Sequence, residues 1–146
     1  MTVRFIEMRF FAQRAALAFF LGVASFAAHA QSLARVCPKA HEATQEHLIG
    51  LWRAEFTDLP AATLLLWQHP ELAASVRGQI NRNGERADLA GDVDEGEFTL
   101  EESVNGVNIS ATWLGDVVEG SCGREIRGTW RREGQAREYE FVLRKQ

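Results

Sequence analysis

The sequence predicts an all-β domain, an eight-stranded antiparallel up-and-down barrel preceded by a short N-terminal helix. The clearest sign is an alternation with a period of two, in which Trp52, Ala54 and Phe56 are separated by charged residues. A second sign is a pair of Asn-Gly sequences at residues 83–84 and 105–106, which are strong signals for hairpins. Nothing between the predicted strands is long enough for a crossover helix, so sequential strands are expected to be neighbours.

The predicted elements follow one another closely along the chain. A helix is expected at residues 38–48, where Pro38 occupies the first helical position and helix formers follow. Both Asn-Gly sequences are expected to form type I′ turns, which need positive φ at both central residues, and further turns are expected at residues 94–96 and 131–135. Closure of the meander would remove both exposed edges, and a two-sheet sandwich is the alternative. The eight strands are expected at about residues 50–57, 62–68, 72–81, 86–93, 97–103, 107–114, 124–131 and 136–144.

Residues 1–30 are typical of an export signal. Three arginines precede an uncharged run at residues 15–28, and "AHA" at residues 28–30 fits the small-x-small cleavage rule. The 14-residue run is shorter than the roughly 20 residues that span a bilayer. We therefore expect a single domain at residues 31–146, periplasmic or secreted, with no membrane insertion after signal removal. Translation from Met8 instead of Met1 would give a more compact signal.

Charge and cysteine content narrow the possible partners. Removal of three arginines and Glu7 with the signal takes the chain from a net charge of −4 to −6. This acidic balance argues against nucleic acid as a partner. In an exported chain, a single cysteine pair with no C-x-x-C spacing predicts a disulfide between Cys37 and Cys122.

The first and last strands carry a family resemblance. Gly50-Leu51-Trp52, followed by the eight-strand meander and a last strand ending in "EFVLRK", resembles the calycin barrels, the lipocalin and avidin group. The resemblance implies that Trp52 closes one barrel end under a basic side chain of the last strand, at Arg144 or alternatively Lys145. Apolar residues at positions 54, 56 and 64–66 replace the polar ones with which avidins bind biotin, so biotin is not expected.

The tryptophans are the candidate ligand contacts. We predict Trp67, Trp113, Trp130 and Tyr139 as ligand-binding residues, and the alternative is that the tryptophans fill a small barrel whose interior has little spare room. Gly78, Gly91 and Gly128 would leave space for a ligand. The assigned inward positions are apolar with Tyr139 as the clearest polar exception. We therefore expect an apolar ligand that enters opposite Trp52.

No motif for catalysis or metal binding stands out. His41 and His47 lack the H-E-x-x-H spacing, and "EGSCG" at residues 119–123 is not a G-x-S-x-G nucleophile loop. The acidic residues at 92–97 lack a full calcium-loop pattern. We therefore expect no enzyme activity, metal or cofactor. Two functions remain: an exported protein that binds a small apolar ligand in a barrel, or a periplasmic inhibitor or immunity protein that binds a cell-envelope enzyme.

Overall fold

The computed structural model describes residues 37–146, and the signal predicted at residues 1–30 lies outside them. Each strand pairs antiparallel with the next, and the last pairs with the first, so the sheet closes into an eight-stranded barrel. The predicted fold class is confirmed. The strands are β1 (Gly50–Phe56), β2 (Ala62–Gln68), β3 (Ser75–Arg82), β4 (Glu85–Asp94), β5 (Glu97–Ser103), β6 (Ala111–Val117), β7 (Glu125–Arg132) and β8 (Glu138–Lys145).

The two Asn-Gly sequences behave differently. Asn83 and Gly84 link β3 to β4 with φ values of 56° and 91°, as the predicted turn requires. The tight turn predicted at Asn105-Gly106 is wrong, because residues 104–110 form a longer loop and β6 begins at residue 111 instead of 107. The Asn105 side chain explains the difference. Its Oδ1 accepts hydrogen bonds from the backbone N–H groups of residues 107 and 108, at 3.0 and 2.8 Å, and these bonds stabilise the loop.

Strand β3 also starts later than predicted, at Ser75 instead of residue 72. His69 Nδ1 accepts hydrogen bonds from the backbone N–H groups of Glu71 and Leu72, at 3.1 and 3.0 Å. The Gln68 side chain donates to the carbonyl of residue 73 at 2.9 Å. These local bonds hold residues 69–74 in a turn, so these residues do not join the sheet.

The single helix predicted at residues 38–48 is wrong in part. A 3₁₀ turn (Ala40–Glu42) and a short helix α1 (Gln45–Leu48) are separated by extended backbone at residues 43 and 44. Each turn has its own cap: the Glu42 carboxylate accepts the N–H of Lys39 at 2.8 Å, and His47 Nδ1 accepts the N–H of Thr44 at 3.1 Å. Among residues 37–146, no helix is long and apolar enough to cross a membrane.

Trp52 closes one end of the barrel, which we call the closed end. Its ring is fully buried, and its indole N–H donates to the carbonyl of Leu48 in α1 at 2.7 Å. Lys145 Nζ lies 5.5 Å from the ring centroid and donates to the carbonyl of His47 at 2.6 Å. The ammonium therefore joins the last strand, the indole and α1.

The Arg144 stacking predicted on Trp52 is wrong, and the alternative, Lys145, occupies that position. Successive side chains of a strand face opposite sides of the sheet, so Arg144 points to the outer face. There its guanidinium pairs with Glu55 and with Glu125, each at 3.0 Å. Hydrogen bonds from Arg127 and, secondarily, Arg144 hold the pKa of Glu125 below its ordinary value.

The predicted disulfide between Cys37 and Cys122 is confirmed. It ties the segment before α1 to the loop between β6 and β7. The same loop supplies the Glu119 carboxylate, which accepts the N–H of Ala40 at 2.9 Å. A crosslink across 85 residues stabilises a fold by about 4 to 5 kcal/mol in the chain-entropy model.

We call the barrel end opposite Trp52 the open end. Below it, the barrel interior is filled with side chains. The glycines predicted to leave space do not do so, because a Cβ at Gly128 would collide with the carbonyl of Leu114, and one at Gly91 with the carbonyl of Thr99. Backbones approach each other closely at these points. The largest fully buried side chains are those of Trp52, Trp113, Phe98, Leu48, Leu64, Leu66, Leu89, Leu100, Ile126, Leu143 and Val76.

Candidate ligand-binding site

The barrel end opposite Trp52 contains a pocket of about 450 Å³, which we call the mouth pocket. A larger groove of about 600 Å³ on the outer face of β1, β7 and β8 is more open to solvent. The mouth pocket is lined by residues at the ends of β3 to β7 and in the loop between β5 and β6. Its apolar lining is made of Ile80, Ala87, Val104, Ala111 and Trp130, and its polar lining of Arg82, Glu85, Arg86, Glu102, Ser110 and Arg132.

Glu102 is the buried carboxylate on which the polar part of this end depends, with only 5% of its surface exposed. One oxygen, Oε1, accepts hydrogen bonds from the indole N–H of Trp113 at 2.9 Å and from that of Trp130 at 2.8 Å. The same oxygen accepts a third bond from Arg82 Nη2 at 3.3 Å. A buried charge is stable only when it is paired and hydrogen-bonded, and these three donors meet that requirement.

The Arg82 guanidinium packs against two aromatic rings that also contact each other, with their centroids 6.1 Å apart. Its central carbon is 4.7 Å from the Trp130 centroid and 5.2 Å from the Phe56 centroid. Its side chain is only 13% exposed, and its Nε is buried without a hydrogen-bond partner. Stacking and the Glu102 ion pair together fix the position and orientation of this cation.

Aromatic rings pack below the mouth pocket and limit its depth. Trp113 lies 4.8 Å from Phe141 and 5.4 Å from Phe56, measured between ring centroids. Tyr139 lies 5.7 Å from Trp130, and Arg137 covers its outer side at 4.6 Å. The site is therefore a shallow mouth above a packed aromatic layer.

The four predicted ligand-binding residues do not lie together in the structure. Trp130 lines the mouth pocket, whereas Trp113 lies beneath it and shares the Glu102 carboxylate with Trp130. Tyr139 packs against Trp130 at the edge of the aromatic layer. Trp67 lies on the outer face of β2 and is 41% exposed, so the structure does not bring it to the pocket.

The expectation of an apolar interior with Tyr139 as the clearest polar exception is wrong. Arg82, Glu102 and Arg132 also face inward, and sequence analysis missed all three. A signal was present for Glu102, because it follows Phe98 and Leu100 at a spacing of two and so shares their face of β5. The inward position of Glu102 was missed because Glu101 precedes it, and two adjacent glutamates near a strand end are typical of a solvated turn.

No protein-family model matches the chain, and no curated protein matches it in sequence. The closed eight-stranded antiparallel barrel is compatible with a calycin-like fold. Membership of that family remains a prediction from Gly50-Leu51-Trp52 and the strand meander.

Replacement of Glu102 by glutamine is expected to destabilise the protein by about 3 kcal/mol, because the Arg82 cation is then buried without a counter-charge. The matched control is Glu101→Gln, one residue earlier on the exposed face, with an expected effect within about 0.5 kcal/mol. Urea unfolding followed by tryptophan fluorescence measures both. Equal effects of the two substitutions would contradict the assigned role of Glu102.

Proposed function

We propose that this protein is an exported, non-enzymatic binding protein that holds one small ligand in its mouth pocket. The observation that carries the proposal is the pocket of about 450 Å³ opposite Trp52. Its volume falls within the range of small-molecule sites, and a few polar groups converge on an apolar surface, as is usual in such sites. The disulfide and the signal-like N-terminus support a periplasmic or secreted location.

The apolar lining supplies the contact surface for the ligand. Ile80, Ala87, Ala111 and Trp130 line the pocket, and burial of a ligand against them contributes about 25 cal/mol per Å² of apolar area before binding costs are subtracted. The expected ligand therefore keeps an apolar part, as the sequence predicted. The polar lining adds a second requirement, because its charged groups must remain solvated or paired when the ligand binds.

A binding role suits the pocket better than catalysis. Ser110, the hydroxyl residue of the pocket, donates to the backbone carbonyl of Glu102 at 3.1 Å. No histidine or cysteine is found among the residues that line this pocket in the described part of the chain. The serine therefore has no adjacent base of the kind that activates a nucleophile.

A larger side chain in the pocket should block the ligand. The substitution Ala87→Leu places a branched side chain into the mouth pocket, and the matched control Ala90→Leu places it on the outer face of the same strand. The probe is N-phenyl-1-naphthylamine, a neutral aromatic amine, followed by quenching of tryptophan emission. We expect binding by the mature wild type and by Ala90→Leu, and an affinity lower by about tenfold or more in Ala87→Leu.

The absence of binding by the wild type would overturn the proposal. Equal binding by both variants would show that the probe occupies another surface, and would also overturn it. Circular dichroism and urea unfolding of the two variants separate a blocked pocket from a fold that has been lost.

A second candidate function, an inhibitor or immunity protein for a cell-envelope enzyme, is favoured by a different observation. Leu51, Leu65 and Trp67 form an exposed apolar patch on the outer face of β1 and β2, where Leu51 lies directly opposite Leu65. Exposed tryptophan surrounded by apolar residues is typical of protein interfaces. Arg53 and Arg77 flank the patch, so an acidic rim on the partner would complement it.

The patch can be tested without disturbing the pocket. Leu65→Ser alters the patch. The matched control, Leu114→Ser, removes a leucine from β6, four strands away, and the two leucines are similarly exposed, at 51% and 54%. If the patch binds an enzyme of the cell envelope, one such enzyme should be retained from a periplasmic extract by wild type and Leu114→Ser and lost with Leu65→Ser. Retention by all three proteins would exclude the patch as the interface.

A further inference from the structure

We propose that the ligand of the mouth pocket carries a carboxylate, and that this group binds to the guanidinium groups of Arg82 and Arg132. The inference rests on the ligand site proposed above and assigns the chemistry of the ligand. Four observations support it: the local charge, the orientation of Arg82, its unpaired nitrogen and the availability of Arg132.

The charge around the mouth pocket is opposite in sign to that of the whole chain. The chain has a net charge of −4, yet the pocket lining contains three arginines and two glutamates, a local excess of one positive charge. The Glu102 carboxylate already neutralises Arg82. The remaining excess matches a monoanion such as a carboxylate better than a dianion such as a phosphate monoester.

Arg82 is oriented before any ligand arrives. The rings of Phe56 and Trp130 and the carboxylate of Glu102 hold its guanidinium in place. A guanidinium has five N–H donors, and the hydrogen bond to Glu102 uses one of them. A fixed cation with spare donors binds a carboxylate at a small entropic cost, because its rotamers are already restricted.

The unpaired nitrogen of Arg82 indicates a missing acceptor. Its Nε is the side-chain polar atom that residues 37–146 leave buried without a hydrogen-bond partner. Native structures rarely leave such a donor unsatisfied. The protein therefore leaves the Arg82 guanidinium short of one acceptor, beside a pocket that an anion can enter.

Arg132 is available for the same group from the other side of the pocket. Its guanidinium lies 5.9 Å from the Trp130 centroid, so both arginines lie against the same indole. Within the described residues, Arg132 forms no ion pair with a carboxylate. An aromatic carboxylate could therefore place its ring on the apolar lining and its charge between the two guanidinium groups.

The test compares three probes that share one ring system: 1-naphthoate, its neutral methyl ester and 1-naphthyl phosphate. Isothermal titration calorimetry at pH 7 with the mature protein should show 1-naphthoate binding about tenfold more tightly than the ester. Arg132→Gln should remove this preference. Arg131→Gln, which alters an exposed arginine on the outer face of the same strand, should keep it.

The possible results separate this inference from the proposed function. If none of the probes binds, both fail. If the ester binds as tightly as 1-naphthoate, the mouth pocket stands as an apolar site and the carboxylate assignment is overturned. If 1-naphthyl phosphate binds more tightly than 1-naphthoate, the monoanion assignment is wrong. If Arg132→Gln retains the preference, Arg132 is not part of the anion site.

Discussion

A single carboxylate oxygen, Oε1 of Glu102, organises the open half of this barrel. It accepts hydrogen bonds from the indole N–H groups of Trp113 and Trp130 and forms an ion pair with Arg82. One buried oxygen therefore fixes the positions of two large rings and a cation. Each partner needs the others: the carboxylate needs donors, the indoles need an acceptor, and the guanidinium needs a counter-charge. The shape and charge of the mouth pocket follow from this arrangement.

The two ends of the barrel are built by different means. At the closed end, Trp52 is covered by Lys145 and bonded to α1, and the disulfide at Cys37 fixes the segment that precedes α1. That end uses backbone carbonyls as its acceptors. The open end uses side-chain charges instead, and it is there that a pocket remains.

The strands were largely predictable from sequence, and the interior chemistry was not. Alternation of apolar and polar residues locates a strand whichever way its apolar face points. The tight turn predicted at Asn105-Gly106 was wrong because the Asn105 side chain bonds to the loop backbone instead. Lys145, not Arg144, covers Trp52 because a shift of one residue reverses the face of a strand. Glu102 shares its face with Phe98 and Leu100, but the stabilising partners of a buried charge lie on other strands, so local sequence does not reveal them.

The central claim is that Glu102 is buried and bonded to both indoles before any ligand binds. A crystal structure of the mature protein without ligand measures this directly, through the distances from Glu102 Oε1 to the indole nitrogens of Trp113 and Trp130. The account predicts that both distances remain at hydrogen-bond length, near 2.9 and 2.8 Å, with Arg82 packed against Phe56 and Trp130. A Glu102 side chain turned to solvent, with both indoles bonded elsewhere, would contradict it.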